Sequence, residues 1–303
     1  MHLKAIMATK LSHRLEYGLF QTLFNLTRVM PRSALLAFGR GLGTFVWKVV
    51  GFRRGVILDN LTHAFGDDQD AAWIQKVGHD FYRNLGMTVM EFLAAGHRST
   101  QDLLDNVDIE GLEHFEDLVA QGKGALFMSG HFGNFELMLP RSAAQGFKTA
   151  VIVKPQSNKL VDAFQNRIRA REGVQIIPTG SSFATIMAAL EGGGFVGIMG
   201  DQDAGRKGQF VEFMGRPASV NRGPATLAVR AKCAVLMVFV YRRADYSHVI
   251  RLEPPIEIDP AWDNRTAIRR LTEIQTEKLE AAVRRAPEMY YWVHRRWKTR
   301  PPE

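Results

Sequence analysis

Cysteine is almost missing from this chain. Cys233 is the single one in 303 residues, which leaves no disulfide framework and no cysteine zinc site and fits a reducing, cytosol-facing location. Paired histidines are missing too. No His-x-His or His-x-x-x-His accompanies His131, Asp201 and Asp203, so a metal centre is not expected. The Gly-x-Ser-x-Gly elbow of a serine hydrolase is absent, because Phe127-Met-Ser129-Gly-His131 lacks its first glycine. Gly192-Gly193-Gly194 stands alone and reads as a helix end rather than a nucleotide loop. Low-complexity tracts, internal repeats and a Pro/Gly/Ser linker between two halves are also lacking.

Long uncharged apolar runs are lacking as well, and this shapes the reading of the N-terminus. Leu15 to Met30 carries a wide apolar face interrupted by Glu16, Gln21, Asn25 and Arg28, the pattern of an amphipathic helix. Pro31-Arg32-Ser33 stops it, and Ala34 to Phe52 is more apolar still, broken by Arg40 and Lys48. Neither stretch reaches eighteen uncharged residues, so a spanning helix is not expected. No short apolar core leads to a small-residue cleavage site. The expectation is a membrane-associated helical segment over residues 1–55, its arginines and lysines near lipid phosphates, with the alternative of a buried helical hairpin.

What is present is the composition of a folded protein, 46% hydrophobic and 23% charged, with alternating strand and helix patterns over residues 56–303. Strands are expected at Val107–Glu110, Ala125–Met128, Thr149–Val153, Val174–Ile177 and Phe195–Met199. Helices are expected at Ala71–Gly96, Leu112–Gln121, Glu136–Ala144, Lys159–Arg171 and Ser182–Glu191. This alternation predicts an α/β fold with a largely parallel central sheet flanked by helices. Near the end, Ala234–Val240 and Val249–Glu253 read as a hairpin, and a helix opens at Asn264 or Thr266 and stops at Pro287.

In parallel sheets, ligand groups gather outside the carboxyl ends of the strands. Three features fall there: His131, Lys154-Pro155-Gln156 and Gly200-Asp201-Gln202-Asp203. The first is the most informative. A buried strand runs into Ser129-Gly130, then His131, then Glu136 five positions later. A histidine at such a turn suits general-base work, and a carboxylate can hold its tautomer. Positions five apart diverge on a regular helix, so the two side chains meet only if His131 precedes it. The net charge of +8 suits an anionic partner: membrane phosphate, phosphorylated lipid, acidic carrier protein or nucleic acid. The tail from Tyr290 to Arg300 mixes aromatic and basic residues in the manner of a nucleic-acid surface, a minor reading set against acid–base chemistry on a charged substrate.

These motifs, in order, resemble the late acyltransferases of lipid A assembly, within the wider lysophospholipid acyltransferase superfamily. The resemblance rests on His131-Phe-Gly-Asn-Phe-Glu136, on Lys154-Pro-Gln-Ser-Asn158 followed by Arg169 and Arg171, and on Asp201-Gln-Asp203-x-Gly205-Arg206-Lys207. It rests also on Phe210-Val-x-Phe213-x-Gly215 and on Trp292-Val-His-Arg-Arg-Trp-Lys298. Lys154 stands where many relatives carry arginine. The resemblance implies an inner-membrane enzyme on the cytoplasmic face that moves a fatty acyl chain from acyl carrier protein to a hydroxyl of a lipid A precursor. Neutral His131 would be the base, with Glu136 orienting it and offsetting its charge. A helix N-terminus would disfavour the imidazolium, and amides of the turn would serve the oxyanion. Arg169 and Arg171 would hold acceptor anionic groups, Asp201 acceptor hydroxyls, with Lys154 and Asn158 also at the substrate. No cofactor, metal or nucleic acid is implied. Alternatives are a lysophospholipid or glycolipid acceptor, a thioester hydrolase, or a non-catalytic membrane-binding protein.

Overall fold

A computed structural model describes residues 10–302; the first nine positions of the expected N-terminal segment lie outside them. Seven strands form one sheet in the order β1-β9-β8-β2-β5-β3-β4. These are β1 (Val107–Glu110), β2 (Ala125–Ser129), β3 (Thr149–Val153), β4 (Gln175–Pro178), β5 (Phe195–Met199), β8 (Ala234–Arg242) and β9 (His248–Leu252). All neighbours pair in parallel except β8 with β9, which are antiparallel. The expected α/β fold with a mainly parallel sheet flanked by helices is therefore what is found.

The sheet is central because its strands are apolar on both faces. Every residue of β2 is buried. Leu126 and Met128 face one layer with Val196, Val235 and Met237. That layer is built from α3 (Arg54–Phe65), α4 (Ala71–Ala95), α9 (Phe183–Leu190), α10 (Gly223–Ala231) and α11 (Asn264–Arg285). Ala125 and Phe127 face the other layer, with α6 (Glu113–Ala120) and α7 (Met138–Ala143). There Phe127 stacks on Phe195 at 4.1 Å between ring centroids, and Phe115 meets Phe195 edge-on at 4.7 Å. Asp263 caps α11 by accepting from the Thr266 amide at 2.8 Å, so the helix opens where its start signal lay.

The first expected helix is α1 (Leu11–Thr27), four residues earlier than the pattern suggested. The second is α2 (Arg32–Phe45), continued by a π-helical turn Val46–Val50 and ended by Gly51 in the left-handed region at φ 65°. α2 packs closely on α4: Gly39 and Gly43 face Gly86 and Tyr82, and a Cβ at Gly43 would lie 2.0 Å from the Tyr82 carbonyl. No single helix among the described residues is long and apolar enough to cross a membrane. The pair Arg32–Val50 and Arg54–Phe65, bent by 98°, passes by length and composition.

Four features were not anticipated: α3, α5 (Thr100–Asn106), α10, and the antiparallel hairpin of β6 (Gln209–Phe213) with β7 (Arg216–Val220). The hairpin turns through Met214 and Gly215, at φ 54° and 73°. This is a two-residue turn with both φ positive, which a Met-Gly pair does not advertise as Asn-Gly does. α8 (Lys159–Arg169) completes the molecule, its Phe164 and Ile168 packing under α1 and α4.

Candidate active site

β2 and β5 are parallel neighbours in a register that sets Ser129 beside Met199. Two residues beyond each strand end stand His131 and Asp201, and the register brings them together. The Asp201 carboxylate accepts from His131 Nδ1 at 2.7 Å and from the His131 backbone amide at 3.0 Å. Asp201 is 3% exposed. An ionised carboxylate only accepts, so Nδ1 carries the proton and the Nε2 lone pair is left for chemistry.

The turn after β2 is fixed from several sides. Gly133 takes φ 59°, and a Cβ there would stand 1.7 Å from the Val240 carbonyl, so only glycine fits. The Gly133 amide donates to the Met289 carbonyl at 2.8 Å, and the Tyr291 amide donates to the His131 carbonyl at 3.0 Å. The C-terminal motif thus braces the turn. Trp292 is fully buried, its Nε1 donating to the Pro287 carbonyl, and Asn60 donates to the carbonyls of Trp292 and His294. Trp292 and Tyr290 are therefore core residues and not base-stacking platforms.

Glu136 does not touch His131. A 3₁₀ turn over Phe135–Leu137 precedes α7 and turns its carboxylate toward Arg169, the last residue of α8. The pair is bidentate, Nε to Oε2 at 2.9 Å and Nη2 to Oε1 at 2.6 Å. The orienting contact expected of Glu136 belongs to Asp201. Asp201, expected at acceptor hydroxyls, turns both its oxygens to His131. Electrostatics follows the same arrangement. Burial disfavours the His131 imidazolium, yet the Asp201 carboxylate outweighs it, with Glu136 adding at longer range, and the pKa rises above its ordinary value. The expected helix N-terminus is not the dominant neighbour. Asp201, which burial would push up, is held below the usual carboxylate range chiefly by His131, with a contribution from Arg296.

His131 stands between two cavities. One, of about 490 Å³, is lined by Lys154, Gln156, Arg169, Asp201, Gln202 and Asn221, so the three features expected at the carboxyl strand ends do converge. The other, of about 250 Å³, is walled by Phe20, Phe81, Leu85, Val89, Phe92 and Phe135. Glu136 lines both, and Arg169 and Arg171 line a third, smaller space beside it. Arg171 is exposed and donates to the Ala95 carbonyl at 2.8 Å. Asn158 belongs elsewhere: it caps α8 and donates to the His13 carbonyl and to Glu16, tying α1 to α8. It lines none of these three cavities. Asp203 lines the larger cavity, and its carboxylate holds the Thr299 amide and hydroxyl while its own amide donates to His294.

The chain is similar to known proteins over most of its length. The family model described as bacterial lipid A biosynthesis acyltransferase matches residues 6–299. The lipid A biosynthesis palmitoleoyltransferase of Escherichia coli K12 is 28% identical over 277 residues, covering 90% of this chain and 87% of that protein. The lauroyltransferase of the same organism is 28% identical over 276 residues, covering 90% and 88%. A crystal structure of the 1-acyl-sn-glycerophosphate acyltransferase of Thermotoga maritima aligns over 82% of this chain and 97% of that one, at 12% identity and a TM-score of 0.35. The chain belongs to the bacterial lipid A biosynthesis acyltransferases.

Proposed function

We propose that this acyltransferase moves a fatty acyl chain from an acyl carrier protein thioester to a hydroxyl of a lipid A precursor, at the cytoplasmic face of the inner membrane, with His131 as general base. The observation that carries the reading is a histidine whose Nδ1 is held by Asp201 while Nε2 stands free between two cavities. Nε2 takes the proton of the acceptor hydroxyl as its oxygen attacks the thioester carbonyl carbon. Collapse of the tetrahedral intermediate breaks the C–S bond, and the imidazolium returns the proton to the departing thiolate. Asp201 keeps the productive tautomer, and Glu136 helps to offset the imidazolium charge. The amides of His131, Phe132 and Gly133 are committed to Asp201, the Gly130 carbonyl and the Met289 carbonyl. Those of the helical turn at Asn134–Glu136 are then the candidates for the oxyanion, worth about 3–4 kcal/mol if well aimed.

The phenylalanine-walled cavity suits the acyl chain, and the larger one, with Lys154 and Arg169 at its wall, suits an anionic acceptor. Membrane docking is supported by where apolar side chains meet solvent. Leu11, Leu15 and Leu19 form an i, i+4 stripe along α1, and Phe45, Val49, Val50 and Phe52 follow near the end of α2, all more than half exposed. Exposed apolar side chains of this kind suit a membrane interface, with Arg53 and Arg54 next to Phe52 in the chain for lipid phosphate.

The test is acyl transfer by the purified protein in mixed micelles, with acyl carrier protein thioester and a lipid A precursor, read by mass spectrometry of the lipid. Acylated precursor should form, thiol release should depend on the acceptor, and His131→Ala should lower turnover by at least about a hundredfold. Thiol release at the same rate without acceptor would make the protein a hydrolase and overturn the proposal.

A further inference from the structure

Between His131 and Glu136 lies a side chain that the mechanism above does not use. Asn134 is 1% exposed, and its Nδ2 donates to Glu91 Oε2 at 2.9 Å. Glu91 sits on α4 and receives two further bonds from Arg242, at the end of β8: Nη1 to Oε1 and Nη2 to Oε2, both at 2.8 Å. Arg242 Nη2 also donates to Thr88 on the same helix at 3.3 Å. Arg32, at the start of α2, approaches Glu91 at 3.9 Å, and the buried His248 approaches it at 3.6 Å. Burial lowers the His248 pKa to about 4, so at neutral pH that ring is uncharged and the cations opposite Glu91 are Arg242 and Arg32.

Burying a carboxylate with a guanidinium contributes little net stability, since desolvation offsets the attraction. What such a pair does supply is fixed geometry, because a bidentate fork tolerates little rotation. Backbone contacts hold the turn at His131 and Gly133. At Asn134, where the chain bends toward the 3₁₀ turn that carries Glu136, the hold comes from this side chain. We infer that Glu91, locked by Arg242, is a positioning residue for the reaction: through Asn134 it sets where His131 and Glu136 stand relative to each other. The inference rests on His131 as the base. It adds a four-way junction of α4, β8, the catalytic turn and the start of α2, assembled from residues that are distant in sequence.

The experiment measures kcat and acceptor KM for Glu91→Gln, Asn134→Ala and the double variant in the same transfer assay, below the melting temperature of each, with His131→Ala as a control. A shift of about 1 Å at a reacting group costs on the order of a hundredfold. Each single variant should therefore lose about ten- to a hundredfold in kcat with acceptor KM within about threefold. The double should lose no more than about threefold beyond the worse single, because both break one linkage. Should Glu91→Gln fail to fold, Asn134→Ala leaves the Glu91–Arg242 pair in place and carries the test alone. Folded Asn134→Ala or Glu91→Gln with wild-type kcat overturns the inference, as do multiplicative losses in the double variant. Full activity in His131→Ala would instead remove the reading on which it rests.

Discussion

Replacing Asp201 by asparagine preserves its shape and removes one property, the ability to accept on both oxygens. In the native site Oδ2 accepts from the His131 amide and Oδ1 from Nδ1–H. The backbone amide is always a donor, so the single oxygen of asparagine turns to it. The NH₂ group then faces Nδ1 and compels it to accept, which moves the imidazole proton to Nε2 and removes the lone pair from the cavity. The analogous loss of tautomer control in a serine-protease triad lowers kcat by about 10⁴, or about 5 kcal/mol at 1.36 kcal/mol per decade. A fall of that order is expected in Asp201→Asn, with acceptor KM little changed, in the micellar transfer assay under saturating thioester. The pH profile supplies an independent sign. Asp201 raises the His131 pKa against the effect of burial, so the wild-type rate climbs as pH rises through a value above 6.5. In Asp201→Ala the residual activity should show its acid limb displaced to lower pH. Asp201→Asn within tenfold of wild type, or an acid limb that stays in place in Asp201→Ala, would refute the reasoning.

Two other perturbations follow from exposure and pairing. Arg169→Ala should raise the acceptor KM more than tenfold and leave the KM for acyl carrier protein nearly unchanged. Arg169→Lys should recover only part, because the fork on Glu136 is bidentate; normal acceptor kinetics in Arg169→Ala and Arg171→Ala alike would move the head group toward Lys154, Arg206 or Arg222. Leu15→Glu with Leu19→Glu should shift the protein from the membrane pellet to the supernatant with a melting temperature within a few degrees, since these side chains are 67% and 60% exposed; undiminished sedimentation would place the membrane contact elsewhere.

Much of the fold was legible because its signals are local. β3 and β5 lie where their apolar runs begin and end, and Pro287 stops α11 within two residues of its last turn. The hairpin β6–β7 was not legible, since its left-handed turn is made by Met214 and Gly215, held in part by a bond from the Met214 amide to Glu280 on α11. The site divides along the same line. His131 and Asp201 were each recognisable as strand-end residues, but their contact depends on β5 lying beside β2, with β3 beyond it, and no local pattern carries strand order. Glu136 was placed by spacing alone, and a 3₁₀ turn was enough to redirect it. Glu91 and Arg242 carry no motif: a glutamate in a long helix and an arginine at a strand end look solvated until the layers close over them.

The sign of the His131 shift bears on why a buried aspartate, and not the glutamate of the motif, holds the ring. A general base works best with a pKa near the operating pH, since a weaker base accepts the proton poorly and a much stronger one is already protonated. Burial alone would take an imidazole below 6.5, leaving it neutral and feeble against a hydroxyl. Asp201 reverses that shift from the Nδ1 side while fixing the ring. A carboxylate at Nε2 would raise the pKa equally and block the atom that must meet the hydroxyl. Glu136 lines both cavities that flank His131. Its pairing with Arg169 then has a second consequence: the guanidinium neutralises a carboxylate that otherwise favours the imidazolium. Loss of Arg169 should therefore also raise the His131 pKa and displace the acid limb to higher pH, opposite to the displacement expected on loss of Asp201.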